Sequence, residues 1–475
     1  MQDLEGKVIQ TTEGTKYILT EIAGEGAQGV VYNEASDKFL IKLYEKSNPI
    51  QNENRFNKLK WLIKQDYPDQ FIRPLELIET PYVGYVMEKV KGHSTINKLL
   101  VPSRDVPFSE WYNKQTGGLR RRLFLAYKIA MQFALLHDTN RAYCDISGSN
   151  ILVNTDPTVA SICMIDIDNI YIPGGDSGNV LGTSRYMAPE IMNRQVSPDI
   201  FTDAYSLAVI LFELLRVGHP YVGDMVEDGT PEQQAQAYLG LYPYEDDPST
   251  DINRSSQMLP IDVVTTKTLR KLFARTFVQG KEDRMMRTSA REFALACLEA
   301  SNRVMKCPDC GCWHIAKANE NRQYICPWCD AVNERPLFLQ FKDRYSVSKS
   351  TKSKEREVFN ETPVYSFVLR DEKNEITNNY ISNMYIRRDK FSKPVESYFT
   401  VRKAKDGKFY LLNPGNKELY LLKRGQREYL PVRSNTKPVI LEKHDRIFFQ
   451  DPGRYSKEAL DKYSRAILFR YAVVL

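Results

Sequence analysis

Residues 141–153, R-A-Y-C-D-I-S-G-S-N-I-L-V, constrain the fold of this chain more than any other stretch. Asp145 and Asn150 stand five residues apart, just before an apolar run, and a second apolar run ends in C-M-I-D-I-D, which contains Asp166. Asp and Asn are frequent in turns, and short apolar runs bounded by turn residues are typical of strands. The pattern therefore predicts a polar loop, a short strand, a turn, a second strand and then an acidic turn.

A glycine-rich segment lies between strands near the start of the chain. Residues 16–44 alternate as strands do, and their middle part carries Gly24, Gly26 and Gly29, followed by Val31. Glycines let a backbone close over phosphates and present its N–H groups without side-chain obstruction. Strands on both sides distinguish the motif from the strand-then-helix order of a dinucleotide fold. A plain hairpin turn is the alternative interpretation.

Lys42 stands in an apolar strand, 13 residues after Gly29. An ammonium in such a strand costs free energy unless it is paired, and phosphate oxygens together with a helix Glu would pair it. Residues 52–65 have helical periodicity, which makes Glu53 the candidate partner. Two alternatives stay open: Lys42 as an edge-strand residue facing water, and Glu53 as a first-turn residue favoured by the helix dipole.

These motifs occur in the order found in a eukaryotic-like protein kinase domain, which residues 14–302 resemble. The resemblance gives an N lobe at 14–91 and a C lobe at 92–302. Further matching segments are Gly182-Thr183, Ala188-Pro189-Glu190, Asp203 and the R-T-S-A-R-E-F that begins at Arg287. In the family pattern Arg287 pairs with Glu190, and the helix that starts near Asp203 braces the catalytic loop.

The resemblance implies phosphoryl transfer from ATP to Ser or Thr hydroxyls, with magnesium as cofactor. Asp145 then takes the proton of the acceptor hydroxyl, Asn150 and Asp166 hold magnesium, and Lys42 binds phosphate. Thr183 is similar to the residue typical of Ser/Thr-specific kinases. The resemblance also assigns the glycine loop and Glu53 to cofactor binding. It places the adenine site at Val31, Leu40, Met87, Glu88 and Leu152.

Several family positions hold other residues here. Cys144 stands where an Arg usually precedes the catalytic Asp, so loop phosphorylation at Ser177 or Ser184 is not expected to be the main switch. Ser147 replaces a Lys, which removes positive charge near the transferring phosphoryl group. Asp168 replaces the glycine of D-F-G. A nucleotide-binding pseudokinase scaffold is therefore the alternative to an active kinase.

A small zinc ribbon is predicted at residues 303–335. The segment C-P-D-C-G-C-W-H-I…C-P-W-C contains two C-x-x-C pairs, and two such turns facing each other make a tetrahedral thiolate zinc site. The expected ligands are Cys307, Cys310, Cys326 and Cys329, with Cys312 or His314 as possible substitutes for one of them. When protein ligands fill all four coordination positions of a zinc ion, the site is structural. A redox role of the C-x-x-C pairs is the alternative.

Residues 336–475 alternate as short strands, which predicts an all-β sandwich or barrel. The polar segment 343–362 is predicted to be a loop or linker. V-E-S-Y-F-T-V and L-E-K-H-D-R-I-F-F resemble the second half of a forkhead-associated domain, a fold that reads phosphothreonine. Glu396 and Phe399 stand where that family has a Ser and a His, so ordinary phosphopeptide binding is not expected.

The whole chain is thus predicted to be a multidomain α+β protein. From residue 331 onward, 30 Lys and Arg stand against 18 Asp and Glu, a net charge of +12, whereas the total is +6. The basic residues are scattered, which favours a solvated surface over nucleic-acid binding. No apolar run is long enough for a membrane span, and the first residues lack the pattern of a secretion signal, which predicts a cytoplasmic protein.

The order of the three domains resembles bacterial kinases of tellurite-resistance-type phosphorylation systems. That resemblance implies protein partners, among them a von Willebrand A-type protein and a metal-dependent phosphatase. It rests on domain order and carries no physical argument about an interface.

Overall fold

The computed structural model describes residues 4–26, 29–45, 48–171, 182–349, 356–370, 373–382, 396–452 and 469–475. The chain divides into two compact units, Met1–Cys297 and Leu298–Leu475. No helix within the described ranges has both the length and the apolar content needed to cross a membrane.

The first unit begins with a six-stranded antiparallel sheet in the order β1-β2-β3-β4-β6-β5. Its strands are β1 (Val8–Gln10), β2 (Lys16–Gly26), β3 (Gly29–Glu34), β4 (Phe39–Tyr44), β5 (Pro74–Ile78) and β6 (Gly84–Glu88). One face buries an apolar cluster that includes Leu19, Tyr32, Ile41 and Val86. Lys42 lies on the central strand β4, where it faces Val31 on β3 and Tyr85 on β6.

Helix α1 (Pro49–Leu62) follows β4. It starts three residues before the predicted helix because Asn48 caps it, accepting a hydrogen bond from the Gln51 amide, and Pro49 occupies the first turn. Phe56, Leu59 and Leu62 form its buried stripe.

The rest of the first unit is mainly helical, with one small sheet in the order β7-β8-β9: His93–Thr95, Ile151–Asn154 and Ile162–Met164. The hairpin β8–β9 is the pair of strands predicted between Asp145 and Asp166. The helices are α2 (Asn97–Leu100), α3 (Phe108–Glu110), α4 (Gly118–His137), α5 (Pro189–Met192), α6 (Ile200–Arg216), α7 (Pro231–Tyr238), α8 (Ile261–Val264), α9 (Lys267–Ala274), α10 (Gly280–Glu282) and α11 (Ala290–Asn302), whose last turn, from Leu298, belongs to the second unit. Short 3-10 turns lie at Ile167–Asn169 and Arg284–Met286, and π-helical turns at Trp111–Gln115 and Arg275–Gln279.

Helix α6 is almost completely buried and forms the centre of this helical part. Asp199 and Thr202 make a reciprocal capping box at its start, which satisfies amides that would otherwise lack partners. A helix that is buried on all sides belongs inside a domain, and this one carries Asp203 into the interior.

The second unit starts with two small hairpins, β10 (Val304–Lys306) with β11 (Trp313–Ile315) and β12 (Tyr324–Ile325) with β13 (Val332–Asn333). Two antiparallel sheets follow, in the orders β15-β14-β23-β22-β19-β20 and β16-β17-β18-β21. Their strands are β14 (Leu337–Lys349), β15 (Arg356–Leu369), β16 (Lys373–Thr377), β17 (Ser397–Lys403), β18 (Phe409–Leu412), β19 (Tyr420–Leu422), β20 (Leu430–Pro431), β21 (Val439–Leu441), β22 (Arg446–Phe448) and β23 (Phe469–Val474), with helix α12 at Asn378–Ser382. The ring of Phe449 stacks on Phe341 of one sheet and on Phe399 of the other, as expected for a β-sandwich.

The prediction of a loop or linker at 343–362 is wrong for most of that segment. Strands β14 and β15 run through it and pair in register as far as Lys349 and Arg356, while residues 350–355 lie outside the described ranges. Polar residues are tolerated in this ribbon because charge pairs support it, including Lys342–Glu361 at 3.4 Å and Arg470–Asp343 at 2.6 Å. Apolar periodicity does not reveal such pairs.

Candidate active site

Asp145 is held in place by two neighbours. The Asn150 side-chain amide donates to the Asp145 carboxylate at 2.7 Å and to its backbone carbonyl at 3.0 Å. On the other side, the backbone N–H and the hydroxyl of Thr183 donate to the second carboxylate oxygen at 3.0 and 3.1 Å. The structure thus brings together three residues that the sequence assigned to one reaction.

Asp203 fixes the backbone that precedes Asp145. Its buried carboxylate accepts hydrogen bonds from the amides of Tyr143, at 2.6 Å, and Cys144, at 2.9 Å, and lies 3.1 Å from a ring nitrogen of His137. Cys144 has a φ of 73°, in the left-handed region that non-glycine residues rarely adopt. The hydrogen bonds from the two backbone N–H groups hold this conformation, so Asp203 fixes the backbone of the loop that leads to Asp145.

Lys42 lies between two carboxylates that follow strand β9. Its ammonium is 3.1 Å from Asp166 and 3.0 Å from Asp168, and its side chain is 7% exposed. Burial opposes the charged form of Lys42, but the charges of Asp168 and Asp166 outweigh burial and raise its pKa. Burial also raises the pKa of Asp166, whereas at Asp168 the neighbouring Lys42 and Tyr44 overcome burial and lower the pKa.

The predicted pairing of Lys42 with Glu53 is wrong in this structure. Glu53 lies on the exposed face of helix α1, and the ion pairs of Lys42 go to Asp166 and Asp168. The physical reason is the phase of the helix, since the buried stripe of Phe56, Leu59 and Leu62 turns Glu53 toward solvent. The alternative interpretation, a first-turn acidic residue, is also wrong, because the helix begins at Pro49 and its first turn contains no acidic residue.

Sequence reasoning noticed Asp168 only as a missing glycine and overlooked Tyr44 and Tyr85. The hydroxyls of both tyrosines donate to the Asp168 carboxylate, at 2.5 and 3.4 Å. A signal was available, because residues 42 and 44 are two apart on a strand and face the same side. Two polar side chains on one inward face predict a shared polar partner.

The predicted adenine-site residues lie on strands β3, β4, β6 and β8 of the first unit. Leu40 on β4 is the register partner of Met87 on β6, whose side chain is buried, and Glu88 follows at the exposed end of that strand. Val31 on β3 and Leu152 on β8 are both half-buried. Half-buried apolar side chains are typical of ligand clefts, which are mostly apolar.

The three glycines of the loop have different surroundings. A Cβ atom added at Gly24 or Gly26 would meet nothing within 4 Å, whereas one at Gly29 would lie 2.2 Å from the Leu43 carbonyl oxygen. Gly29 is therefore required by the close packing of β3 on β4. Gly24 and Gly26 leave open space of the kind that a phosphate chain needs; residues 27 and 28 lie outside the described ranges.

The predicted ion pair between Arg287 and Glu190 is confirmed. Two guanidinium nitrogens of Arg287 donate to the two oxygens of Glu190, at 2.6 and 2.9 Å, and the Arg287 side chain is 1% exposed. Arg287 also donates to the carbonyls of Gly280 and Phe201. The pair joins segments almost a hundred residues apart.

In the second unit the four predicted cysteines converge. The sulfur atoms of Cys307, Cys310, Cys326 and Cys329 lie within 4.8 Å of one another. Cys312 and His314 are outside this group: the Cys312 thiol contacts the Cys310 carbonyl, and a His314 ring nitrogen contacts the Ile315 carbonyl.

The β-sandwich gives neither Glu396 nor Phe399 a role in binding phosphate. Phe399 is fully buried and stacks on Phe449 in the core, and exposed Glu396 pairs with Lys417 at 3.2 Å. A buried ring and a carboxylate do not attract a phosphate group.

Comparison with known proteins places the first unit in a family. A model of the protein kinase domain matches residues 17–299. Calcium-dependent protein kinase 6 of Plasmodium berghei is 29% identical over 216 residues, 44% of this chain and 13% of the relative. Serine/threonine-protein kinase nekl-2 of Caenorhabditis elegans is 28% identical over 227 residues, 44% of this chain and 59% of the relative.

Protein kinase YegI of Escherichia coli strain K12 is 20% identical over 349 residues, which is 69% of this chain and 51% of the relative. This match is too long to end with the kinase domain at residue 299, so it continues into the second unit. The chain spans less than two thirds of the length of each of these relatives. The family match covers more than half of the chain and agrees with the geometry around Asp145, Asn150, Asp166 and Lys42. The chain therefore belongs to the protein kinase domain family.

Proposed function

We propose that this chain is an active protein kinase that transfers phosphoryl groups from ATP to Ser or Thr hydroxyls with magnesium. The observation that carries the proposal is the proximity of four groups: Asp145 is held by Thr183 and Asn150, the backbone of Asn150 bonds that of Ile165 next to Asp166, and Asp166 contacts Lys42. The name of one relative, serine/threonine-protein kinase nekl-2, supports the same reaction, and that of protein kinase YegI supports phosphoryl transfer to a protein.

The donor atoms of the cleft fit magnesium. Asp166 and Asn150 offer carboxylate and amide oxygens, which are the hard ligands that this ion prefers. Asn150 uses its nitrogen to bind Asp145, which leaves its amide oxygen for another partner. The Asp166 side chain is 29% exposed, so an ion has access to it. Magnesium bound there would neutralise charge on the phosphates.

Each protein group has a defined task in the proposed mechanism. Lys42 contributes a fixed positive charge for the phosphates, and the open backbone at Gly24 and Gly26 contributes N–H donors. Asp145 orients the acceptor hydroxyl and takes its proton, while Thr183 and Asn150 prevent the carboxylate from rotating away. Positioning and electrostatics supply most of the rate in such a reaction.

The test is phosphoryl transfer from labelled ATP with magnesium, onto the protein itself and onto a general substrate. We expect transfer by the wild type and a loss of about 100- to 10,000-fold in Asp145→Asn, the range typical of a general base. Asp262→Asn is the matched control, since Asp262 is exposed and distant in sequence from the loop. Stabilisation by ATP without any transfer would instead support the pseudokinase scaffold.

We infer that the four-cysteine group is a structural zinc site. A tetrahedral site with Zn–S bonds of about 2.3 Å separates its sulfurs by about 3.8 Å. The sulfurs of Cys307 and Cys329 are 3.7 Å apart and those of Cys310 and Cys326 are 3.6 Å apart. Four protein ligands leave no position for chemistry. Metal analysis of the purified chain should find one zinc per chain, and its absence would contradict the assignment.

For the second unit we propose a forkhead-associated-like sandwich that recruits protein partners. The two facing sheets support the fold, and the positions of Glu396 and Phe399 argue against reading phosphothreonine in the usual way. A von Willebrand A-type protein and a metal-dependent phosphatase as partners are proposals from domain order, and a cytoplasmic location is a proposal from the residue pattern of the sequence. Titration of the full chain with matched phosphorylated and unphosphorylated threonine peptides should show no preference, and a strong preference for phosphate would overturn this inference.

A further inference from the structure

The Asp168 carboxylate is the most completely held acidic group of the cleft. Its side chain is 4% exposed, compared with 29% for Asp166. Lys42 lies 3.0 and 3.3 Å from its two oxygens, and the hydroxyls of Tyr44 and Tyr85 donate to the same carboxylate. A buried carboxylate with this many donors is stable in its charged form and in one orientation.

All three donors come from the central strands of the N-lobe sheet. Lys42 and Tyr44 stand two residues apart on β4, and Tyr85 on β6 is the register partner of Lys42. Asp168 itself lies in the 3-10 turn Ile167–Asn169 that follows Asp166. The contacts therefore tie that turn directly to the sheet.

Helix α1 provides no acid that reaches Lys42. Glu53 is the acidic residue of this helix, and it is exposed. The charged side chains that the helix buries in part are those of Arg55 and Lys58, and both are cations, which cannot pair with another ammonium.

We propose that Asp168 is the positioning residue for Lys42, in place of an acidic residue from helix α1. This rests on the proposed kinase function. Asp166 contacts the same ammonium, but Asp166 is the residue that fits magnesium, so Asp168 is the carboxylate that remains with Lys42 when the metal is held. The phosphate-binding Lys is then positioned by a turn and two strands, without an acidic side chain from helix α1.

The test compares Asp168→Asn with Glu53→Gln as the matched control, because both changes remove one carboxylate and preserve shape. We expect Asp168→Asn to lower kcat by about 10- to 100-fold, the cost of losing a hydrogen bond to a charged group. Glu53→Gln should stay within about 2-fold of the wild type. The opposite ranking would overturn the proposal.

A second measurement separates positioning from a merely structural role. The dissociation constant for magnesium-ATP is measured for the wild type, Asp168→Asn, Lys42→Met and the double variant. Asp168→Asn should weaken binding when Lys42 is present and change it by less than about 2-fold in the Lys42→Met background, because it acts through Lys42. An equal effect in both backgrounds would show that Asp168 only supports the turn.

Two controls keep the result interpretable. Thermal unfolding reports whether Asp168→Asn is folded; if it is not, Tyr44→Phe, which removes one donor to the carboxylate, takes its place, with an expected kcat loss of about 3- to 10-fold. No loss there would count against the proposal. An inactive wild type with Asp145→Asn unchanged would refute the kinase function itself, an outcome distinct from failure of the Asp168 assignment.

Discussion

Replacing Asp203 by Asn tests how the catalytic loop is held. The carboxylate accepts from the amides of Tyr143 and Cys144 on different oxygens, and Asn retains only one acceptor oxygen. Its NH₂ group then faces one of the two backbone N–H donors, so one charge-assisted bond is lost and a buried donor is left unsatisfied. The expected cost is about 2–4 kcal/mol.

Amide hydrogen exchange measures this cost at the loop itself. At about 1.4 kcal/mol per factor of ten, protection of the Tyr143 and Cys144 amides should fall by about 30- to 1,000-fold in Asp203→Asn. Asp262→Asn is the control: its side chain is 59% exposed and 3.6 Å from Arg270, so the free energy of unfolding should change by less than about 0.5 kcal/mol. Unchanged protection at both amides would refute the argument that Asp203 maintains the loop.

Three further predictions concern packing, protonation and metal. Gly29→Ala should lower the melting temperature because its Cβ would overlap the Leu43 carbonyl, while Gly26→Ala should stay near the wild type; equal effects would contradict the packing argument. Burial, with the nearby Arg185, lowers the pKa of His219 well below its usual value, so below about pH 6.5 only the unfolded chain gains the proton, and stability should fall by up to about 1.4 kcal/mol per pH unit. Urea unfolding at pH 7 and pH 5 should show a smaller drop in His219→Asn, and identical drops would exclude this group. Cys326→Ser should abolish zinc retention and Cys312→Ser should not, as measured by metal content after dialysis, and zinc loss in both would place Cys312 in the site.

The local motifs of the kinase domain could be read from the sequence because each depends on short spacing. Asp145 and Asn150 are five residues apart, and the hairpin β8–β9 follows from two apolar runs with a turn between them. The C-x-x-C pairs can be recognised for the same reason, since each short turn presents two thiolates independently of the rest of the fold. Such features are determined by neighbours along the chain.

The partner of Lys42 was decided only by the tertiary structure. Asp168 is 126 residues away, and nothing in the spacing distinguishes it from Glu53, which lies much nearer in sequence. The choice depends on the phase of helix α1, fixed by its buried apolar stripe, and on the place where the turn after β9 meets the sheet. The pairing of strands β14 and β15 within residues 343–362 was also decided by the tertiary structure. Charge pairs between neighbouring strands stabilise it, and the sequence of one strand does not reveal its partners. A sequence specifies which groups are available, whereas pairing between distant groups requires the packing that brings them within bonding distance.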